Sequence, residues 1–314
     1  MSYSAPPPAS ASSGTARAVS GVLAVLAVIA LHATYLVFVT TQQGQRVEEL
    51  AFQQSQHGRV IWMLGRPVLN VVSVAFVALG VLGIMTICVI RRRWALALQV
   101  AVLIGGANLT TQLLKDFVYH RPALLPGFAY SNSLPSGHTT VAASVSAALL
   151  IAVPRSFRPA AAVFGVVWTA ITGVSTLAGR WHRPSDVVAS LLVVLAWALG
   201  VCAFGSRTTR DEPALDGVGA GAEPTLRGSY WTAAILGVVG LAAGAKGTAS
   251  LISLWRDPTP PPDAGTGSWL ARIFTGGDLV AFDGATLGII GVTLVSFAVL
   301  LLVRQRTARP GNTR

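Results

Sequence analysis

Three short polar segments interrupt an otherwise apolar chain, and their residue types suit phosphate chemistry. The first reads LLKDFVYHRP and carries Lys115 and Arg121, the second is PSGH at residues 135–138, and the third is GRWHRPSD at residues 179–186. Ionisable side chains within membrane-like sequence are energetically expensive and are therefore usually functional. Three such segments beside apolar runs indicate one shared site.

The first two segments supply groups that bind an anion. Lys115 and Arg121 are cationic donors, and a guanidinium can hold two phosphate oxygens at once. Ser136 and Gly137 stand where an apolar helix is predicted to begin, so the backbone N–H groups and the helix dipole there favour negative charge. Gly137 also lets the backbone approach a ligand closely. These four residues are the candidate phosphate ligands.

The third segment supplies a candidate nucleophile. Pro184 suits the first turn of a helix, which places His182 just before that turn and Asp186 four residues further on. At this spacing the carboxylate can accept a hydrogen bond from one imidazole nitrogen and leave the other nitrogen free to attack phosphorus. His138 is then the candidate acid that protonates the leaving oxygen. The set predicts phosphoryl transfer through a phosphohistidine, with no metal and no other cofactor.

Each segment taken alone has a simpler structural interpretation. PSGH could be a loop followed by a helix cap, and His182 with Asp186 could be a polar cap. Lys115 and Arg121 could be anchors at the membrane interface. His138, His182 and Asp186 could also hold a metal, but zinc usually takes three or four protein ligands, and the neighbouring cations disfavour it. The coincidence of the three segments favours the phosphate site.

The composition predicts a polytopic α-helical membrane protein. The 314 residues are 53% hydrophobic and only 11% charged, whereas an average soluble domain has about 25% charged residues. A helix crosses a bilayer in about 20 predominantly apolar residues. Runs of this kind predict eight spans, at about 17–40, 67–90, 94–115, 137–153, 159–180, 184–205, 231–254 and 280–303.

The stretches between and beyond these spans divide the chain. Residues 1–16 are small, polar and Pro-rich, which predicts a disordered tail. Residues 17–206 hold six spans and all three polar segments. The polar, Gly-rich stretch 207–230 predicts a linker to two further spans within 231–303, and residues 304–314 form a basic tail.

The basic residues predict how the chain is oriented in a cell membrane. Arginines beside the spans fall largely on one side if the chain crosses eight times, and the positive-inside rule makes that side cytoplasmic. They are Arg91, Arg92, Arg93, Arg155, Arg158, Arg207, Arg210, Arg304, Arg306 and Arg309. Both termini are then cytoplasmic, and the loops 116–136 and 181–183 are extracytoplasmic. Because the basic residues form no dense patch, the net charge of +11 predicts no nucleic-acid partner.

In this order, the three segments resemble the signature of the type 2 phosphatidic acid phosphatase superfamily, which includes lipid phosphate phosphatases and vanadium haloperoxidases. The family pattern is K-x6-R-P, then P-S-G-H, then S-R-x5-H-x3-D, and the resemblance covers roughly residues 60–206. It implies a six-helix core. It also implies a nucleophile, its carboxylate partner, a proton donor and phosphate ligands, at His182, Asp186, His138, Lys115, Arg121, Ser136 and Gly137.

Two positions depart from the family pattern. Lys115 precedes Arg121 by one residue fewer than the pattern has. The arginine expected six residues before His182 is Thr176 in this chain. Arg180 lies four residues after Thr176, which on a continuing helix is the same face one turn outward. We therefore expect Arg180 to replace the missing phosphate-binding cation.

The sequence thus predicts an all-α membrane bundle with a six-helix phosphatase core and two additional C-terminal helices. The expected activity is hydrolysis of a lipid phosphate or pyrophosphate at the extracytoplasmic face. A transferase that passes the group to an alcohol remains an open alternative, as does a non-catalytic protein that binds or transports lipid phosphates. The expected partners are the lipid substrate and the bilayer, and the sequence indicates no oligomeric state.

Overall fold

The architecture is that of a helical bundle in a computed structural model that describes residues 11–55, 63, 67, 74–90, 92–126, 131–205, 219–257 and 280–308. Within these ranges the chain forms helices and no strand, which confirms the predicted all-α class. Nine helices follow one another in this described part: α1 (Ala11–Thr34), α2 (Gln42–Gln54), α3 (Val74–Ile90), α4 (Trp94–Leu113), α5 (Gly137–Ala152), α6 (Arg158–Ala178), α7 (Pro184–Ala203), α8 (Gly219–Arg256) and α9 (Val280–Thr307). Single turns of π-helix extend α1 and α4, at Tyr35–Val39 and Leu114–Val118.

Six helices of the described chain are long and apolar enough to cross a membrane. These stretches are Gly14–Val39, Trp94–Val118, Arg155–Ala178, Pro184–Ala203, Arg227–Arg256 and Val280–Thr307. Two shorter apolar helices, Ala78–Ile90 and Gly137–Ala152, lie in α3 and α5. Each of the eight predicted spans therefore corresponds to a helix, and the predicted membrane bundle is confirmed.

The ends of the helices around the polar segments follow from local chemistry. Ser136 caps the start of α5, because its hydroxyl oxygen accepts a hydrogen bond from the backbone N–H of Thr139 at 3.4 Å. The same helix ends at Ala152, two residues before Pro154, which cannot continue it. Pro184 occupies the first turn of α7, as its fixed φ favours. These boundaries place the second and third polar segments at helix starts, whereas the first lies at the end of α4.

One helix of the bundle, α2, was not predicted from the sequence. Its sequence QQGQRVEELAFQQ contains no apolar run, so a search for membrane spans passes over it. It is nevertheless amphipathic, and its buried residues include Val47 and Ala51 together with Glu48 and Glu49. Because two carboxylates lie on the buried face, the apolar pattern that normally reveals such a helix is broken.

Three predicted boundaries differ from the observed ones. α1 begins at Ala11, inside the predicted tail 1–16, and α8 begins at Gly219, inside the predicted linker 207–230. α9 continues to Thr307, inside the predicted basic tail, because buried Arg304 donates to the carbonyl of Ile151 at 3.2 Å. Polar residues thus extend these helices beyond their apolar stretches. The remainder of the tails (1–10, 309–314), the linker up to 218 and part of the second predicted span (68–73) lie outside the described residues.

The last two helices pack with their backbones in close approach. A Cβ atom added to Gly247 of α8 would lie 2.7 Å from the carbonyl oxygen of Gly284 in α9. A Cβ atom added to Gly244, one turn earlier on α8, would meet nothing within 4 Å. Small residues at such a contact allow the van der Waals packing that drives helix association in membranes.

We predict that Gly247→Ala destabilises the protein by about 1–3 kcal/mol, the usual effect of forcing extra volume into a packed contact. Thermal unfolding in detergent, monitored by circular dichroism, measures this effect. Gly244→Ala is the matched control and is expected to be neutral or slightly stabilising, because alanine favours a helix over glycine. Equal transition temperatures for the two variants would show that the close contact does not hold α8 on α9.

Candidate active site

The three polar segments meet at one end of the bundle, which we call the site end. α4 leads to it through Leu114–Val118, α6 ends there at Ala178, and α5 and α7 begin there. The backbone N–H of Ser136 donates to the carbonyl of Asp186 at 2.9 Å, and the hydroxyl of Ser190 donates to the carbonyl of Ser136 at 2.8 Å. These bonds fix the start of α5 against the first turns of α7.

The imidazole of His182 and the carboxylate of Asp186 lie within hydrogen-bond distance. Nδ1 of His182 is 3.2 Å from Oδ2 of Asp186. The same Oδ2 accepts hydrogen bonds from the Ser133 hydroxyl at 2.6 Å and from the Arg183 backbone N–H at 2.9 Å. Asp186 is fully buried, whereas the His182 side chain is 11% exposed. With Nδ1 as the donor, Nε2 of His182 is available to a substrate, and the catalytic role of the pair stays a prediction.

His138 stands near His182 with a gap between the rings. Their ring centroids are 6.4 Å apart, and the His138 ring lies 5.3 Å from that of Trp181. This separation suits a nucleophile and an acid that act on two sides of one phosphorus atom. Sequence reasoning assigned no role to Trp181, which contacts His138 from the turn before His182.

The main contribution of Ser136 and Gly137 to the site is the start of α5, because the Ser136 hydroxyl is not free. The Ser136 side chain is fully buried, and its oxygen accepts from both the N–H and the hydroxyl of Thr139. The Ser136 side chain therefore acts as a helix cap, which is the simpler structural interpretation of PSGH. The first N–H groups of an α-helix have no partner within that helix, which leaves those of Gly137 and His138 to face an anion. A Cβ atom at Gly137 would meet only Nε2 of Gln112, at 3.9 Å.

The two predicted cations of the first segment differ in their surroundings. Lys115 lies in the π-helical turn, is half-buried, and its charge acts on both Asp186 and His138. Arg121 lies between two carboxylates: Nη1 is 3.1 Å from Oε2 of Glu48, and Nη2 is 3.6 Å from Oδ1 of Asp186. Its Nε and Nη2 atoms are buried and have no hydrogen-bond partner among the described residues. Nη2 is thus held beside the Asp186 carboxylate by charge alone, and Nε is uncommitted within the described chain.

α2 adds residues to the site end that sequence reasoning missed. Oε1 of Glu48 accepts a hydrogen bond from the backbone N–H of Ser185 at 2.9 Å, while its other oxygen pairs with Arg121. Glu49 pairs with the Arg183 guanidinium at 3.3 Å. Burial raises the pKa of the Glu48 carboxyl, although Arg121 opposes that rise. Two adjacent glutamates in a chain with only 12 acidic residues were the available sequence signal.

The structure corrects the geometric premise for Arg180. α6 ends at Ala178, and Arg180 adopts a left-handed backbone with φ of 59°, so it does not continue the helical face of Thr176. The Arg180 guanidinium lies 4.8 Å from the centroid of the Phe52 ring. Thr176 is buried, and its hydroxyl donates to the carbonyl of Gly173 at 2.8 Å. The phosphate contact by Arg180 stays a prediction.

The donor set of the described chain is poor in metal ligands. No group of three or more His, Cys, Asp or Glu side chains within the described ranges could hold a metal ion. The site end instead combines two imidazoles, two carboxylates and cationic side chains, contributed by His138, His182, Asp186, Glu48, Lys115 and Arg121. This combination can bind an anion, attack it with an imidazole and supply a proton.

Comparison with known proteins gives one match. The family model described as the PAP2 superfamily matches residues 19–210. No curated protein and no solved structure matches the chain. The matched range contains α2 to α7, most of α1 and all three polar segments, whereas α8 and α9 lie beyond it.

We predict that Arg180→Gly lowers kcat for phosphate-ester hydrolysis by roughly 30- to 1000-fold, the usual loss when a donor to the transition state is removed. Glycine tolerates the left-handed backbone, so this change removes the cation without straining the turn. Steady-state kinetics of the purified protein in detergent measure kcat and KM separately.

Arg92 provides the matched control for this variant. It has the same left-handed backbone, with φ of 52°, in the turn between α3 and α4 at the end of the bundle away from the site. Arg92→Gly is expected to leave kcat unchanged. A kcat for Arg180→Gly within about twofold of the parent, a change too small for a lost phosphate contact, would rule out Arg180 as the substitute.

Proposed function

Because this chain belongs to the PAP2 superfamily, we propose that it is an integral membrane phosphatase that hydrolyses a lipid phosphate or pyrophosphate. The family supports phosphatase activity on phosphate esters, and the apolar helices support a place in a membrane. The observation that carries the proposal is the pairing of His182 with buried Asp186, opposite His138, at one end of a membrane bundle.

In the proposed first step, Nε2 of His182 attacks phosphorus. The P–N bond forms while the P–O bond to the lipid breaks, and His138 gives its proton to the departing oxygen. Asp186 holds the imidazole through Nδ1 and stabilises the positive charge that develops on the ring. Lys115 and the N–H groups at the start of α5 stabilise negative charge on the phosphoryl oxygens.

In the proposed second step, water releases the phosphoryl group from His182. His138, now neutral, accepts a proton from the water molecule as its oxygen attacks phosphorus and the P–N bond breaks. Inorganic phosphate leaves, and His138 is again protonated for the next cycle. His138 thus serves as acid in one step and as base in the other.

A groove between α3, α5 and α6 supports a lipid as the substrate. The groove has a volume of ≈ 260 Å³ and is lined almost entirely by apolar atoms, with Gly83 and Ile87 of α3, Val145 and Leu149 of α5 and Trp168 of α6 among its walls. The hydrocarbon chain of the substrate is the occupant we propose, because the groove adjoins the helix that begins at the site.

The groove residues of α5 lie on the same face of that helix as His138. His138, Ala142, Val145 and Leu149 recur at the helical spacing of three and four residues, so they share that face. Val145 lies about 10 Å along the helix axis from His138, at a rise of about 1.5 Å per residue. A lipid whose phosphate meets His138 would therefore extend its chain along α5 into the groove.

The orientation of the site is part of the proposal. Arginines lie at the ends of helices away from the site, including Arg155 before α6, Arg158 at its first position, and Arg304 and Arg306 in the last turn of α9. The positive-inside rule supports a cytoplasmic location for that end of the bundle in a cell membrane. Both termini would then be cytoplasmic, and the site would open to the extracytoplasmic face.

We predict that His182→Ala abolishes phosphate release, because it removes the attacking nitrogen. Brief incubation with a radiolabelled phosphate ester followed by denaturation should trap acid-labile, alkali-stable label on the parent protein and none on the variant. His120→Ala is the control, since His120 is exposed and its hydrogen bond with Tyr35 uses the backbone carbonyl of His120. Full activity of the His182→Ala variant would refute the phosphohistidine mechanism.

We predict that Gly83→Phe reduces kcat/KM for long-chain phosphatidic acid by about 10-fold or more, because the ring fills space that the chain would occupy. Hydrolysis of a short-chain analogue should be unaffected. A Cβ atom at Gly83 or at exposed Gly105 of α4 would meet nothing within 4 Å, so Gly105→Phe is the matched control. A loss that is equal for both chain lengths, or equal for both variants, would exclude the groove as the chain site.

A further inference from the structure

A carboxylate of α2 contacts two of the elements that hold the proposed nucleophile. Glu48 is 2% exposed, and its two oxygens have different partners. Oε1 accepts from the Ser185 backbone N–H at 2.9 Å, and Oε2 pairs with Nη1 of Arg121 at 3.1 Å. No sequence pattern connects these residues, because Glu48 and Ser185 lie 137 positions apart.

The contact with Ser185 acts on the start of α7. Ser185 follows Pro184 in the first turn of that helix, where N–H groups have no intrahelical partner and negative charge is favourable. Asp186 belongs to the same turn, and its carboxylate is held by the Arg183 N–H in the same turn. Glu48, which belongs to α2, therefore anchors the turn of α7 that carries Asp186.

The contact with Arg121 acts on the other oxygen of Asp186. Nη1 of Arg121 pairs with Glu48 while Nη2 faces Oδ1 of Asp186 at 3.6 Å. A guanidinium is planar and rigid, so the direction of one donor determines the direction of the others. Holding Nη1 on Glu48 thus orients Nη2 towards Asp186.

We propose that Glu48 is a positioning residue for the His182–Asp186 pair, acting through the first turn of α7 and through Arg121. As a catalytic proposal it rests on the proposed phosphatase function. The reacting phosphate meets His182, and Glu48 sets the position of the carboxylate behind that histidine. This assignment accounts for the unusual burial of a second carboxylate beside Asp186, which would otherwise only repel it.

The last two helices hold α2 in this position. Oε1 of Gln54 accepts hydrogen bonds from the N–H groups of Ala281 and Phe282 at 3.0 and 3.1 Å, which caps the start of α9. Nε2 of Gln43 donates to the carbonyl of Trp255 at the end of α8. Both ends of α2 are thus bound to helices that lie beyond the family match, so α8 and α9 brace Glu48 against the site.

Occupation of Arg121 by Glu48 also has an opposite interpretation, in which Glu48 competes with phosphate for the guanidinium. The bond from Ser185 argues against that interpretation, because displacement of Glu48 would free a helix-start N–H and leave a buried carboxylate unpaired. The two interpretations predict opposite effects of removing the carboxylate. Positioning predicts a lower kcat, whereas competition predicts a lower KM.

The test compares Glu48→Ala and Glu48→Gln with Glu49→Gln. We expect Glu48→Ala to lower kcat for phosphate-ester hydrolysis by about 10- to 100-fold with KM nearly unchanged, the effect of losing charge-assisted hydrogen bonds. Glu48→Gln should lose less, because the amide oxygen can still accept from Ser185. Glu49→Gln removes a neighbouring buried carboxylate that pairs with the Arg183 side chain, and its kcat should stay within a few-fold of the parent.

A second readout does not depend on turnover. Carbethoxylation of His182 by diethyl pyrocarbonate, followed by digestion near neutral pH and peptide mass spectrometry, reports the nucleophilicity of its free nitrogen. A hydrogen bond from the other nitrogen to a carboxylate raises that nucleophilicity, so Glu48→Ala should react several-fold more slowly than Glu49→Gln. If the parent hydrolyses no phosphate ester, the proposed function fails, and this comparison still tests the positioning.

Two results would overturn the inference. One is a lower KM with unchanged kcat for Glu48→Ala, which would show that Glu48 competes with phosphate. The other is equal loss of kcat and of His182 reactivity in the Glu48 and Glu49 variants, which would show only general loosening of α2. The expected pattern is a loss specific to Glu48, partly restored by glutamine.

Discussion

The burial of one carboxylate, that of Asp186, organises the site end. A charged group in an apolar environment is costly unless hydrogen bonds and opposite charges surround it. Here the partners come from separate parts of the chain: Ser133 before α5, His182 and the Arg183 backbone before α7, and Arg121 after α4. Satisfying this single group therefore fixes the relative positions of all three polar segments.

The same requirement extends outward from Asp186. Arg121 carries a buried positive charge of its own, and Glu48 of α2 provides the second carboxylate that balances it. Glu48 in turn accepts from the Ser185 backbone N–H, so the chain of contacts returns to the helix that bears Asp186. A closed network of this kind is more rigid than its separate pairs, because displacing any member leaves another buried group unsatisfied. Such rigidity keeps the carboxylate in position beside the imidazole.

Two parts of the bundle have different tasks around this network. The range matched by the PAP2 superfamily supplies the polar segments, and the two helices beyond it pack through glycine contacts such as Gly247 on Gly284. Those helices hold α2 by Gln43 and Gln54, and α9 also packs directly against the end of α6 and the start of α7. In the proposed positioning of Glu48, α8 and α9 brace α2, a role that their own apolar sequences do not suggest.

Features set by residues close in sequence could be predicted from the sequence, and features set by residues far apart could not. The spans follow from sequence because apolar length alone decides whether a helix can cross a bilayer. The His182–Asp186 contact was also predictable, since Pro184 starts a helix and places His182 just before the turn that carries Asp186. α2 was missed because its buried face carries carboxylates whose partners, Arg121 and Ser185, lie far along the chain. The position of Arg180 was likewise decided by the turn after Ala178 and by Phe52 of α2, because a helical extrapolation holds only as far as the helix continues.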